Sequence, residues 1–185
     1  MRKTLADFRS ICLRIVCCLS CAVCLIPTCG GRPEKGRPFA GIEEEWESRM
    51  GHYAGKLMAI HVNTALKDIA GNSPCRYQIA AGLVVKNPRG DGLPNRIESQ
   101  TLKKVERVLV EKLVESNLTV HAIDIKTDGR CDYVFYGADK NAILDSIAAI
   151  GDTIGTYAVE FTIKRDPGWN TYTWFAPFGT DGRRR

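Results

Sequence analysis

Cysteine is scarce in the part of the sequence that would form a folded domain. Six of the eight cysteines lie within the first 29 residues, and only Cys75 and Cys131 lie beyond them. A small disulfide-stabilised domain spreads its cysteines through the folded part, so this class of protein is excluded. The two remaining cysteines would begin two antiparallel strands at opposite ends of a sheet, too far apart for a disulfide. We therefore predict two separate, buried thiols.

The part of the chain that would fold also lacks a large net charge of either sign. The net charge is +5, but residues 1–29 carry +3 and the arginines at 183–185 more than supply the rest. A near-neutral domain offers no basic face to nucleic acid, so nucleic acid is not an expected partner. Residues 133–136 (Tyr-Val-Phe-Tyr) partly resemble an RNA-recognition strand. Because Cys131 replaces the first stacking aromatic residue, core packing is the expected role of this strand.

Catalytic and metal-binding motifs are absent from the sequence. There is no nucleophile elbow, phosphate-binding loop or zinc motif. Two sets of side chains could suggest a metal site: His52, His61 and His121, and Asp124, Asp128 and Asp132. The histidines lack the spacing of metal ligands, and the aspartates lack the alternate ligands and distal Glu of a calcium loop. We expect no catalytic residue, no metal ligand and no cofactor.

The N-terminus has the pattern of an export signal. Residues 1–14 are basic, and residues 15–26 form an apolar run of 12 residues, shorter than the ~20 needed to span a bilayer. Cys29 follows the run and precedes two glycines, which resembles the bacterial lipoprotein signal. That resemblance implies that residues 1–29 are a signal peptide and that Cys29 carries the lipid. Export with ordinary cleavage and an uncleaved start are the alternatives.

The remaining sequence predicts a linker, one α+β domain and a tail. Residues 30–42 are rich in Gly, Pro and charge, as a flexible linker is. The domain is expected over 43–178 and a basic tail over 179–185. Alternation of apolar residues, helix caps and an Asp-Gly turn predict these elements: a hairpin of 44–50 and 56–63, a strand from 76, a helix near 96–116, strands 118–126 and 130–136, a helix from Asp139 to Gly151, and a strand at 157–164.

This order predicts a ferredoxin-like βαββαβ sandwich preceded by an extra β-hairpin. In that fold two helices pack on one face of a four-stranded antiparallel sheet. The aromatic segment 166–178, which contains Trp169, Tyr172 and Phe178, is expected to fold back onto the domain because exposing it to water is costly.

Several short motifs indicate a family. Trp46 with the strand at 55–63, Gly92-Leu93-Pro94, the strand 130–136, and Asp166-Pro167-Gly168-Trp169 with Tyr172 resemble the bacterial family called domain of unknown function 695. The resemblance covers about 43–178. It implies the fold and no particular activity. Related ferredoxin-like domains include a cytoplasmic ribonuclease inhibitor, which suggests a protein-binding role by analogy alone.

Our leading hypothesis is a non-enzymatic cell-envelope lipoprotein, anchored to a membrane through its N-terminal lipid. Its domain would bind an unidentified protein or small ligand, and residues 90–92 and the aromatic C-terminal segment are the first candidate surfaces. Two alternatives come from other classes: an intracellular regulator that inhibits a nuclease by protein contact, and a small hydrolase whose site the sequence does not reveal.

Overall fold

Groups of one to three consecutive strands are separated by helices along the described part of the chain. The computed structural model describes residue 39 and residues 42–114 and 119–176. Its elements are the strands β1 Trp46–Tyr53 and β2 Lys56–Asn63, a 3-10 turn Thr64–Leu66, β3 Tyr77–Val84, helix α1 Arg96–Leu113, β4 Thr119–Thr127, β5 Arg130–Gly137, α2 Lys140–Ile150, β6 Thr153–Ile154, β7 Tyr157–Ala158, β8 Glu160–Arg165 and α3 Asn170–Phe175. The α+β class expected from the sequence is confirmed.

Six strands form one antiparallel sheet in the order β1-β2-β4-β5-β3-β8. The N-terminal hairpin is part of this sheet, because β2 pairs with β4 from Met58 opposite Thr127 to Val62 opposite Ile123. A separate two-stranded pair joins β6 and β7. The sheet is therefore wider than the four strands expected for the body of the domain.

Local sequence explains how the helices and turns begin. The side-chain oxygen of Asn95 accepts a hydrogen bond from the Glu98 N–H at 2.9 Å and so caps α1. Asp139 caps α2 in the same way, through the N–H groups of Asn141 and Ala142. Asp128 and Gly129 both have positive φ, as the tight β4–β5 turn requires. These three predicted features are confirmed.

The last predicted strand differs from the structure. Residues 157–164 were expected to form one strand, but Tyr157–Ala158 pair with Thr153–Ile154 and the sheet strand begins at Glu160. The N–H of Val159 donates to the carbonyl of Asp152 at 2.9 Å, which ties the chain to the preceding loop. A tertiary contact thus divides a sequence whose apolar alternation is continuous.

Both faces of the sheet are buried against other parts of the chain. On one face α1 and α2 cover β3 and β5, with Leu102, Leu109 and Ile143 among the buried side chains. The opposite face packs against the segment after β8, where Trp169 and Tyr172 are buried. Residues 166–176 of the aromatic segment therefore fold back as expected, although Trp174 remains 74% exposed.

The two cysteines of the domain lie in different cores. Cys131 belongs to the core under the helices and Cys75 to the core on the opposite face. Both are free and buried, which confirms the prediction of two separate thiols.

Several predicted segments lie outside the described residues. They are the signal peptide 1–29 with Cys29, the linker 30–42 apart from residues 39 and 42, residues 115–118 between the predicted helix and strand, Phe178 of the aromatic segment, and the basic tail 179–185. Among the described helices, none combines the length and the apolar character needed to cross a membrane.

Candidate functional site

Three turns meet at one end of the sheet and enclose an open cleft of about 450 Å³. We call it the three-turn cleft. The turns are the one between β1 and β2, the loop before α1, and the one between β4 and β5. The lining residues are His52, Gly55, Lys56, Leu57, Pro88, Arg89, Gly90, Asp91, Gly92, Asp128 and Gly129.

Close backbone contacts hold the loop before α1 against the β4–β5 turn. Gly92 has a φ of 81°, and a Cβ at this position would lie 2.9 Å from the Cα of Asp128. The N–H of Gly129 donates to the Gly92 carbonyl at 2.8 Å, and the N–H of Val85 donates to the Gly129 carbonyl at 2.7 Å. Glycine is required at position 92 both by the backbone angle and by the space.

Charged side chains of both signs line the three-turn cleft. Lys56 Nζ lies 3.2 Å from Asp128 Oδ1, and Arg89 pairs with Asp91 within the loop. The hydrogen bond from Arg89 lowers the pKa of Asp91, and the N–H of Leu93 adds to this effect. All four charges are at the surface, where ion pairs contribute little to stability. These side chains can therefore exchange partners with a ligand that carries charges of its own.

A second set of polar side chains, the pair formed by His121 and Asp124, is buried under α1. His121 Nε2 lies 2.8 Å from Asp124 Oδ1, and their side chains are 2% and 5% exposed. Residues three apart on a regular strand point to opposite faces. Here the pairing with β5 shifts between His121 and Ile123, so that Ala122 is an extra residue and the two side chains share one face.

Aromatic rings close this pair off from water. The His121 ring stacks on Phe135 with centroids 4.6 Å apart and meets Trp46 at 4.8 Å. At the rim, burial raises the pKa of Glu106, and the Asp124 carboxylate adds to the rise. The His121–Asp124 pair is therefore buried within the fold, with the His121 ring packed between Trp46 and Phe135.

Two further buried carboxylates connect separate elements. Glu98 accepts hydrogen bonds from the N–H groups of Lys86 and Asn87 at 2.5 and 2.6 Å and from the Tyr157 hydroxyl at 2.8 Å. In a capping box Glu98 would reach back to the N–H of Asn95. The carboxylate instead fixes the loop before α1 and the β6–β7 pair onto the start of the helix.

Asp166 performs the same role on the opposite face. Its carboxylate accepts hydrogen bonds from the Tyr136 hydroxyl at 2.9 Å, from the N–H and the side-chain amide of Asn170, and from the Thr171 N–H. The neighbouring Trp169 stacks on Tyr136 with centroids 4.0 Å apart, and its indole N–H donates to the Cys75 carbonyl. The Asp-Pro-Gly-Trp motif therefore attaches the C-terminal segment to the sheet.

The residues considered from the sequence are dispersed in the structure. Asp128 and His52 line the three-turn cleft, Asp124 pairs with His121, and Asp132 lies 3.6 Å from Arg130 on the opposite face of the sheet. Within the described ranges no three His, Cys, Asp or Glu side chains are grouped to hold a metal ion.

Two further segments considered from the sequence, residues 90–92 and 133–136, differ in their exposure. Residues 90–92 line the three-turn cleft, as the hypothesis of a binding loop requires. Residues 133–136 are buried in the two cores, which confirms the prediction of core packing. The His121–Asp124 contact was missed by sequence reasoning, because the residue spacing contains no sign of the bulge at Ala122.

A comparison with protein-family models identifies the family of this chain. No curated protein and no solved structure matches it. The model of the family described as "Family of unknown function (DUF695)" matches residues 44–176, which include the three-turn cleft, the His121–Asp124 pair and the Asp166 motif. With most of its length matched by that model, the chain belongs to the DUF695 family.

Proposed function

We propose that this chain is an exported, lipid-anchored protein of the cell envelope whose domain binds a protein or small ligand without catalysing a reaction. The pattern of residues 1–29 supports the export and the attachment of lipid at Cys29. The three-turn cleft supports the binding role. In this proposal residues 30–42 separate the binding domain from the membrane surface.

The contrast between exposed and buried charges carries the binding role. Lys56 and Asp128 in the three-turn cleft have side chains 58% and 63% exposed and are paired with each other. A ligand with one charge of each sign can replace this weak pair at small cost. The buried carboxylates of Glu98 and Asp166 instead accept hydrogen bonds that hold the fold together.

The same contrast argues against a hydrolase that works through a serine or cysteine nucleophile. Such an enzyme would need that nucleophile beside a base in an accessible site. The described residues that line the three-turn cleft include no hydroxyl or thiol side chain, while the His121–Asp124 pair is enclosed by aromatic rings. Binding is therefore the function that this geometry favours.

We also assign the body of the domain to the ferredoxin-like topology. The elements β3-α1-β4-β5-α2-β8 follow the βαββαβ order, and their strands neighbour one another as β4-β5-β3-β8. In this description the β1–β2 hairpin is an addition beside β4, and the β6–β7 pair is an insertion before the last strand. The strand order is the observation that supports this assignment.

Fatty-acid labelling with membrane fractionation tests the proposed lipid attachment and membrane location. We expect the full chain to be labelled and to sediment with membranes, and Cys29→Ala to lose both properties. Cys24→Ala is the matched control, because it removes a cysteine from the apolar run without touching the proposed lipid site. An unlabelled wild-type chain that remains soluble inside the cell would contradict the proposal and favour the intracellular regulator.

Chemical-shift mapping by NMR tests the binding site. The probe is the dipeptide Ala-Ala with free termini, because its carboxylate can face Lys56 or Arg89 while its ammonium faces Asp91 or Asp128. We expect shifts confined to the three-turn cleft, and none with the dipeptide blocked at both ends. Shifts that cluster elsewhere would refute the cleft as the site.

A cleft-filling variant provides the matched comparison. A Cβ at Gly90 would meet no atom within 4 Å, so Gly90→Phe should fold normally and add bulk to a residue that lines the cleft. We expect it to lose the dipeptide shifts, while Lys104→Phe, at an exposed position on α1, keeps them. Equal binding by both variants would contradict the assignment.

A further inference from the structure

The strand β1 forms one edge of the sheet. It is eight residues long and pairs only with β2 among the described elements. An edge strand presents a row of N–H and C=O groups that can pair with another strand. Its register with β2 runs without a bulge from Trp46 opposite Asn63 to Tyr53 opposite Lys56. The edge is therefore regular enough to continue the sheet.

This edge has few of the features that usually prevent strands from pairing between molecules. Lysine, proline, bulges and shortness are among the common protections, and β1 contains no Lys or Pro within Trp46–Tyr53. Its two charged residues, Glu47 and Arg49, are of opposite sign. It also exposes apolar side chains, since Met50 is 61% and Tyr53 66% exposed. The opposite edge strand, β8, is shorter and carries two like charges, Lys164 and Arg165. Of the two edges in the described sheet, β1 is thus the better suited to a further strand.

We propose that β1 pairs antiparallel with β1 of a second copy of this chain, with Ser48 opposite Ser48 of that copy. The pairing joins two six-stranded sheets into one continuous sheet around a twofold axis. The argument for a second copy as the occupant is the order of residues 46–50, which is complementary to itself about Ser48.

Charge and size both match in this register. In an antiparallel pair centred on Ser48, Glu47 of each copy lies opposite Arg49 of the other, and Trp46 lies opposite Met50. Directly opposed Cβ atoms are about 5 Å apart, close enough for opposite charges and for apolar side chains to interact. Arg49 Nε already lies 2.8 Å from Glu47 Oε1 within one chain. Both side chains therefore lie on the same face, as the intermolecular pairs require.

Other registers are disfavoured by the same residues. Opposed side chains of an antiparallel pair share one face, so a twofold axis perpendicular to the sheet places one residue opposite its own copy. Centring the pair on Glu47 would oppose two carboxylates, and centring it on Arg49 would oppose two guanidinium groups. Like charges in directly opposed positions are destabilising. The charges thus favour Ser48 over both of its neighbours as the centre.

Disulfide trapping in the full chain tests the register. Under mild oxidation we expect Ser48→Cys to give a disulfide-linked dimer well above the wild-type level, because the two Cβ atoms are adjacent at the axis. Tyr53→Cys is the matched control, equally exposed on β1 but not opposite its own copy, and it should stay at the wild-type level. No increase with Ser48→Cys would overturn the proposal, as would a Ser48→Cys adduct with a different protein.

Charge reversal tests whether Glu47 of one copy pairs with Arg49 of the other. In the Ser48→Cys background, Glu47→Arg or Arg49→Glu alone should weaken dimerisation about tenfold, because the twofold axis repeats each repulsive pair. The double variant Glu47→Arg/Arg49→Glu should restore it, since opposite charges again face each other. Trapping that is insensitive to both single reversals, or that the double variant fails to restore, would overturn the proposed register. Circular dichroism of each variant separates loss of pairing from loss of folding.

Discussion

His121 and Asp124 lie on the same face of β4, with Nε2 and Oδ1 2.8 Å apart, because Ala122 bulges out of the pairing with β5. Removing the carboxylate leaves a buried imidazole without its partner. We expect Asp124→Ala to lower the free energy of unfolding by about 1–3 kcal/mol, the usual cost of such a group. Urea denaturation followed by tryptophan fluorescence measures the change.

Asp145→Ala is the control for this prediction, because Asp145 is exposed on α2 and its loss should change stability by less than about 0.5 kcal/mol. Equal stability of the two variants would show that the dyad does not stabilise the fold.

Trp169 is the largest fully buried side chain of the C-terminal segment. Trp169→Ala removes its stacking on Tyr136 and its hydrogen bond to the Cys75 carbonyl. We expect a loss of about 3–5 kcal/mol in thermal or chemical unfolding, as for other large-to-small changes in a core. Trp174→Ala, at a side chain 74% exposed, should be close to neutral. A small effect at position 169 would mean that the segment detaches from the sheet in solution.

Gly92 and Gly90 lie in the same loop but differ in their surroundings. An alanine at 92 must adopt a φ near 81° and contact the Asp128 backbone at 2.9 Å, so we expect Gly92→Ala to destabilise the fold by about 1–3 kcal/mol. Gly90→Ala has open space around the new Cβ and should be neutral or stabilising by less than about 1 kcal/mol. Thermal melts of the pair check the contrast, and equal melting temperatures would contradict it.

Asp166 predicts a dependence of stability on pH. Burial alone raises the pKa of this carboxyl, but the hydrogen bonds from Asn170, Thr171 and Tyr136 outweigh it and hold the pKa below its ordinary value. A group whose pKa is lower in the folded state stabilises the fold above its unfolded pKa, about 3.9, and that contribution is lost as the pH falls through the folded pKa. We expect wild-type stability to fall in acid more steeply than that of Asp166→Asn. Parallel curves of unfolding free energy against pH would refute this.

Local chemistry predicted the elements whose causes are local. Asn95, Asp139 and the Asp128-Gly129 turn act through backbone groups within a few residues, and their effects are readable without the rest of the fold. The apolar alternation that predicted the strand from residue 76 likewise corresponds to the structure, because Ile79, Ala81 and Leu83 lie in the core under the helices. These features were predicted because each is decided over a short stretch of chain.

The features that sequence reasoning missed depend on distant parts of the chain. The bulge at Ala122 is a mismatch between two strands, and Glu98 finds Tyr157, its hydrogen-bond partner, 59 residues away. For the candidate site, residues 90–92 were identified as an exposed loop, but the contributions of Lys56 and Asp128 follow only from the sheet register. No local pattern contains this information, because tertiary pairing creates it.

The segment that closes the second face of the sheet is also the last part of the domain to be synthesised. Until residues 166–176 are available, Val134, Tyr136 and Cys75 have no cover from Trp169 and Tyr172. A chain interrupted before Asp166 would expose an apolar sheet face to water and to other chains. Both cores of the domain are therefore shielded from water only after synthesis has passed residue 176.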